Sequence, residues 1–301
     1  MIISFVVAFL STPKLADKLK ERGIMGVDIH KEERPEIPEM GGLAIVAGFL
    51  ISTIVAYLLY RDLRILIGII LVLLTAALGV FDRFKPLSPI QKIISLALIG
   101  LILVPFSIPP SYGYYGIFYL IFIPFFFMCA CNFTNMLAGF NGLEIGTGAI
   151  AALGVVGLSI IDQSSASFIL SSCIFGALLA FLYYNKYPAK VFPGDVGTLI
   201  IGAALFSAIV FGRFYLTGAI VFIPYALDAA LKYLSAGIMT RESQAPTGIK
   251  DGKLYIPEGS NLSVARIFLR RRAMPEREVV KRVWIVEACF SIFALILEVL
   301  I

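Results

Sequence analysis

Residues 117–146 read IFYLIFIPFFFMCACNFTNMLAGFNGLEIG, and this stretch decides the fold class. Its first part, 117–137, is an apolar run matching the roughly 20 residues that a helix needs to cross a bilayer. It lacks the period-two alternation of a barrel strand, so it reads as a transmembrane helix. The second part is polar: Asn132, Asn135, Asn141 and Glu144 fall within thirteen residues. Asn132 and Asn135 are three apart and share one helix face. Gly139, Gly142 and Gly146 let the backbone turn sharply and approach a ligand. Polar groups at the end of a membrane helix cost free energy unless they meet a partner or water. Asparagines there often only cap a helix or glue it to its neighbours. Four polar groups clustered with three glycines point beyond that to a site.

The rest of the chain repeats the apolar pattern. Its 301 residues are 59% hydrophobic and 15% charged, whereas soluble domains run near ~45–50% apolar and ~25% charged. Ten candidate spans emerge, at about 1–20, 41–60, 63–81, 89–106, 117–137, 143–161, 166–184, 196–212, 214–237 and 283–301. The expected fold is all-α: one polytopic membrane domain, 1–301, with about ten transmembrane helices. The first apolar segment lacks a basic start and is expected to remain as a helix rather than be cleaved. With these spans, 22 of the 25 lysines and arginines fall on one side, leaving Arg61, Arg64 and Arg213 on the other. The excess of basic residues in cytoplasmic loops then predicts both termini outside. The stretch 238–282 is a long cytoplasmic insertion, and its Asp251-Gly252 pair signals a small hairpin. The four cysteines lie in spans without CxxC spacing and read as packing residues. His30, the only histidine, reads as a solvated loop residue. Membrane lipid is an expected partner, and nucleic acid is not.

Further polar residues gather on the same side. Asp82 ends the third span, and Lys92 follows ten residues later. They read either as an interfacial carboxylate and a snorkelling lysine or as an acid and a cation suited to a metal-bound phosphate. Asp195 opens the eighth span as an N-cap or as a ligand for Mg²⁺, which favours one or two carboxylates plus phosphate oxygens. Glu39 precedes the second span, where a helix dipole favours a carboxylate. Asp228 and Lys232 are four apart and can pair on one helix face. Arg270, Arg271 and Arg272 suit a phosphate or anionic lipid. A transporter tends to place ionisable groups near the midplane; here they sit at helix ends. That favours an enzyme taking a soluble substrate from the cytoplasm and a lipid from the bilayer, with Mg²⁺-assisted phosphate chemistry.

The motifs IPEMGG (37–42), GVFD (79–82) with Lys92 following, NFTNMLAGFNGLEIG (132–146), YPAKVFPGD (187–195) and GKLYIP (252–257) occur in this order. Together they resemble the polyprenyl-phosphate N-acetylhexosamine-1-phosphate transferases, in particular the dolichyl-phosphate GlcNAc-1-phosphotransferase branch in an archaeal-type short form. The resemblance implies an integral membrane enzyme of the archaeal plasma membrane, or of the endoplasmic reticulum in a eukaryote, with its active site facing the cytoplasm. It would transfer GlcNAc-1-phosphate from UDP-GlcNAc to dolichyl phosphate and release UMP. It implies Mg²⁺ held by Asn135 and Asp195, a phosphate contact from Lys92, and catalysis by Asp82, Lys92 and Asp195. Glu39, Asn141, Glu144 and Arg241 would bind the nucleotide sugar. A homodimer is an open alternative, as are a lipid-linked-sugar flippase and a catalytically altered UDP-sugar-binding paralogue. The last is motivated by one departure: the family's adjacent aspartates read Asp82-Arg83 here.

Overall fold

The structure is a computed structural model and describes residues 1–107, 116–237, 247–258 and 260–301. Helix α1 (Ile2–Glu21) leads into a short hairpin, β1 (Met25–Val27) with β2 (Glu36–Pro38). Next come α2 (Gly42–Tyr60), α3 (Leu63–Phe84) and α4 (Pro89–Gly100), the last extended by a 3-10 turn and α5 (Val104–Ser107). Then follow α6 (Gly116–Met136), α7 (Leu143–Ile161), α8 (Ser165–Asn185), α9 (Gly194–Gly212), α10 (Tyr215–Val221) and α11 (Ile223–Ala236). A second hairpin, β3 (Gly248–Lys250) with β4 (Lys253–Tyr255), precedes α12 (Val264–Leu269) and α13 (Glu276–Leu300).

Among the described residues, eight helices are long and apolar enough to cross a membrane, and α10 with α11 makes a ninth if counted as one bent span. The fold is that of an all-α, multi-pass membrane protein. Two of the ten expected spans differ in character from the rest. The span at 214–237 is broken by a 57° bend between α10 and α11. Pro224 stands at the start of α11, where it removes a backbone donor and crowds the carbonyl four residues back. Helix α1 forms, but Lys14, Asp17, Lys18 and Lys20 occupy its second half, so only its first half is apolar. It lies against α2 and α8.

Helix α9 is the centre of the bundle. Every residue from Val196 to Phe211 is buried, as expected of a helix that is apolar all round. It packs against α2, α3, α6, α7 and α8. Glycines permit the closeness: a Cβ on Gly42 would lie 2.3 Å from Gly197 Cα, and one on Gly202 would lie 2.3 Å from the Ala130 carbonyl oxygen. Small residues of this kind let membrane helices approach backbone to backbone. Gly202→Ala is therefore expected to destabilise the bundle by about 1–3 kcal/mol, read as a lower unfolding temperature in detergent.

The Asp251-Gly252 hairpin is present as expected. Lys250 pairs with Lys253 across the two turn residues, both with positive φ (51° and 69°), as a type I′ turn requires. The β1–β2 hairpin carried no comparable turn signal. Its connecting residues, 28–35, read DIHKEERP and contain no glycine.

Candidate active site

The ends of α3, α4, α6 and α9 meet at one end of the bundle. Asp82 lies in the last turns of α3, where its Oδ1 accepts a hydrogen bond from the Leu87 backbone N–H at 2.7 Å. Helix α4 starts at a fixed point because Ser88 and Gln91 form a capping box, which satisfies two otherwise free donors. Lys92 follows directly. Its Nζ lies 2.6 Å from Asp82 Oδ2 and 2.7 Å from Asp195 Oδ2. All three side chains are at least 85% covered. Lys92 thus does not snorkel toward headgroups; it is shared by two carboxylates from different helices.

Asp195 is the second residue of α9, and the N-cap position belongs to Pro193. The helix dipole favours a carboxylate there. Thr198, on the same face one turn further along, donates from Oγ1 to Asn135 Oδ1 at 2.6 Å. Thr134 Oγ1 donates to the Thr198 carbonyl at 2.9 Å. These two bonds join the end of α6 to the start of α9. Asn132 instead donates to Met128 in its own helix.

The donor set suits a hard divalent cation. Among the described residues, no three His, Cys, Asp or Glu side chains form a metal-binding group. Two convergent carboxylates and a nearby amide match the sparse protein ligation of Mg²⁺, which takes its remaining ligands from water and phosphate.

Arg83 turns away from the usual role of the second aspartate. Its Nη2 lies 3.2 Å from Glu39 Oε2 and donates to the Met25 carbonyl at 3.0 Å. It thereby ties α3 to the β1–β2 hairpin. The carboxylate pair at Lys92 comes from α3 and α9, so it forms without an acid at position 83.

Asn141 lies in a second polar network and is buried. Its Nδ2 donates to Asp28 Oδ2 at 3.0 Å, its Oδ1 accepts from Ala189 N at 2.7 Å, and its backbone N–H donates to Glu276 Oε1 at 2.6 Å. Lys31 bridges Asp28, at 3.2 Å, and Glu276. Asn141 therefore joins the first hairpin, the 187–189 loop and α13. Glu144, in the first turn of α7, is buried, and its Oε2 has no hydrogen-bond partner among the described residues. Of the three glycines in this stretch, Gly139 and Gly142 have positive φ (149° and 80°). Gly146 has a different use: a Cβ there would stand 2.2 Å from the Trp284 ring. Arg241 lies outside the described residues.

His30 is not a free loop residue. Its ring lies 4.5 Å from that of Phe140, and burial lowers its pKa from 6.5 to about 4 despite Asp28 nearby. The unfolded chain binds the extra proton between these values, so the stability due to neutral His30 is complete above the unfolded pKa and is lost as pH falls through this window. His30→Gln should flatten the dependence of unfolding temperature on pH from about 6.5 to 4.

Thr198, Asp28, Lys31 and Glu276 were not singled out from sequence. Thr198 had a weak signal, three residues beyond Asp195. Glu276 had none, being 135 residues from its partner Asn141.

Comparison with known proteins places the chain in a family. Residues 65–213 match the model of glycosyl transferase family 4. A protein of Methanocaldococcus jannaschii, provisionally named a glycosyltransferase, is 38% identical over 98% of this chain and 96% of its own length. A protein of Saccharolobus solfataricus is 35% identical over 99% of this chain and 95% of its own. One of Sulfolobus acidocaldarius is 31% identical, over 99% and 95%. Both carry the provisional name UDP-N-acetylglucosamine–dolichyl-phosphate N-acetylglucosaminephosphotransferase. Alike to these relatives along nearly its whole length, and gathering its acids, amide and lysine at one end of a membrane bundle, the chain belongs to glycosyl transferase family 4, the membrane glycosyl-1-phosphate transferases.

Proposed function

We propose that this protein transfers GlcNAc-1-phosphate from UDP-GlcNAc to a polyprenyl phosphate of the dolichyl type, giving polyprenyl-diphosphate-GlcNAc and UMP, the first step of lipid-linked glycan assembly. The observation that carries the reading is the convergence of Asp82, Lys92 and Asp195 from three helices. The names of the two dolichyl-type relatives support the choice of sugar and lipid. In the reaction, a lipid phosphate oxygen bonds to the β-phosphorus of the sugar nucleotide. The bond from that phosphorus to the bridging oxygen breaks, and the electron pair leaves with UMP.

This chemistry asks mainly for positioning and charge neutralisation. A bound Mg²⁺ would supply charge neutralisation at the diphosphate, held by Asp195 and Asn135. Lys92 neutralises phosphate charge, and Asp82 orients it. Glu39 and Glu144 would contribute to binding the nucleotide sugar, with Arg241 assigned the same role from sequence alone, and Asn141 would shape that site by fixing its loops. On the positive-inside argument this end of the bundle faces the cytoplasm, with both termini on the other side.

The test is UMP release by the purified chain with UDP-GlcNAc, dolichyl or polyprenyl phosphate and Mg²⁺. Absence of release across a panel of UDP-sugars and prenyl phosphates overturns the reading. Arg83→Asp, which restores the usual family residue, is expected to lower turnover about three- to tenfold rather than raise it. It breaks the tie to Glu39, a partly exposed pair worth about 1 kcal/mol at most, and sets two acids against each other.

A further inference from the structure

Helix α11 presents Asp228, Lys232 and Ser235, spaced four and three apart and therefore on one stripe. Each reaches a different element. Lys232 Nζ lies 2.8 Å from Asp228 Oδ2 and donates to the carbonyl of Met136, the last residue of α6. Asp228 Oδ1 accepts the Val264 N–H at the start of α12, at 2.8 Å. Ser235 Oγ accepts the Leu262 N–H, also at 2.8 Å. Asp228 and Lys232 are only 1% and 8% exposed.

An ion pair buried this deeply recovers little net stability, because desolvation opposes the Coulomb gain. What it does supply is placement. The last carbonyls of a helix lack intrahelical donors, and a cation near them is favoured by the dipole. Lys232 meets both demands at the residue directly after Asn135. Asn135 in turn receives the Thr198 hydroxyl from α9, one turn from Asp195. The chain of contacts runs from α12 through Asp228 and Lys232 to the end of α6, and from there to α9.

We propose that Lys232, oriented by Asp228, is a positioning residue that sets the Asn135 amide beside Asp195, and that the same pair seats the segment carrying β3, β4 and α12. The proposal rests on the reading of Asn135 and Asp195 as the divalent-cation site. Helix glue alone would affect stability without touching cation affinity; a positioning residue changes that affinity.

The experiment measures Mn²⁺ binding to the full-length protein in nanodiscs by electron paramagnetic resonance, with UDP present, alongside unfolding temperature and UMP release. Lys232→Met is expected to weaken Mn²⁺ binding about tenfold, equivalent to about 1.4 kcal/mol. It should raise the Mg²⁺ concentration for half-maximal UMP release by a similar factor, with the KM for prenyl phosphate nearly unchanged. Lys232→Arg, which can still donate to the Met136 carbonyl, should restore most of the affinity. Ser235→Ala, which loses the bond from Leu262 and bonds to carbonyls of its own helix but leaves the Lys232 ammonium in place, should bind Mn²⁺ as the wild type does. Should Lys232→Met fail to fold, Asp228→Asn carries the same expectation. Wild-type Mn²⁺ affinity in the folded Lys232 or Asp228 variants overturns the positioning role. Absence of Mn²⁺ binding in the wild type overturns the cation-site reading itself, and the proposal with it.

Discussion

Asp195→Asn is expected to abolish UMP release, by about 10³-fold or more, while the protein folds and unfolds as the wild type does. The substitution keeps size and shape at the second residue of α9, whose side chain is already packed against Lys92. Its neighbours therefore have no reason to move. What changes is charge. Among the described residues, Asp82 and Asp195 are the two carboxylates at Lys92, so the amide halves the negative charge they offer a divalent cation. The dipole of a helix N-terminus no longer has its anion. Loss of one preorganised electrostatic partner in a desolvated site costs roughly 10²–10³ in rate; loss of a carboxylate ligand belongs at or above the upper end. The measurement pairs UMP release with thermal unfolding. Near-normal turnover would remove Asp195 from the site, and loss of both activity and fold would give it a structural role at the start of α9.

Lys92→Met is expected to have two opposite effects. Turnover should fall about 10²-fold, because the ammonium that meets phosphate charge is gone. Divalent-cation binding, measured directly with Mn²⁺, should instead become about tenfold tighter. The physical reason is competition. Lys92 lies within 2.7 Å of both Asp82 and Asp195, so in the cation-free protein it already neutralises the oxygens that a metal would use. Methionine keeps the apolar stem and leaves two carboxylates facing one another. Without divalent ions the variant should unfold at a lower temperature, and Mn²⁺ should stabilise it more than it stabilises the wild type, as binding to the folded state alone requires. Weaker Mn²⁺ binding in the variant would show that lysine and cation do not draw on the same carboxylates.

Much of the site was legible at the level of residue type. Asp82, Lys92, Asn135 and Asp195 stand out because each interrupts an apolar run at its end, where a polar side chain needs a reason to be present. Their mutual arrangement was not legible. Lys92 and Asp195 are 103 residues apart, and no periodicity links them. Asn141 shows the same limit from the other side. The family resemblance implied a substrate contact for it, and nothing in the sequence showed that its side chain is held by Asp28 and Ala189. Arg83 reads in sequence as a departure from an acidic pair, and its partners, Glu39 and the Met25 carbonyl, come into view only in the fold.

By itself the sequence determined the helices, the membrane class, the side on which charge gathers and the Asp251-Gly252 hairpin. These follow from hydropathy, spacing and turn chemistry, which act over a few residues or along one helix. Only the tertiary structure decided which helix ends meet, that Lys92 is held between two acids, and that α9 stands at the centre. Those outcomes depend on backbones packed closely enough, at Gly42, Gly197 and Gly202, to bring distant carboxylates onto one ammonium. That closeness is a property of the assembled bundle and not of any single stretch.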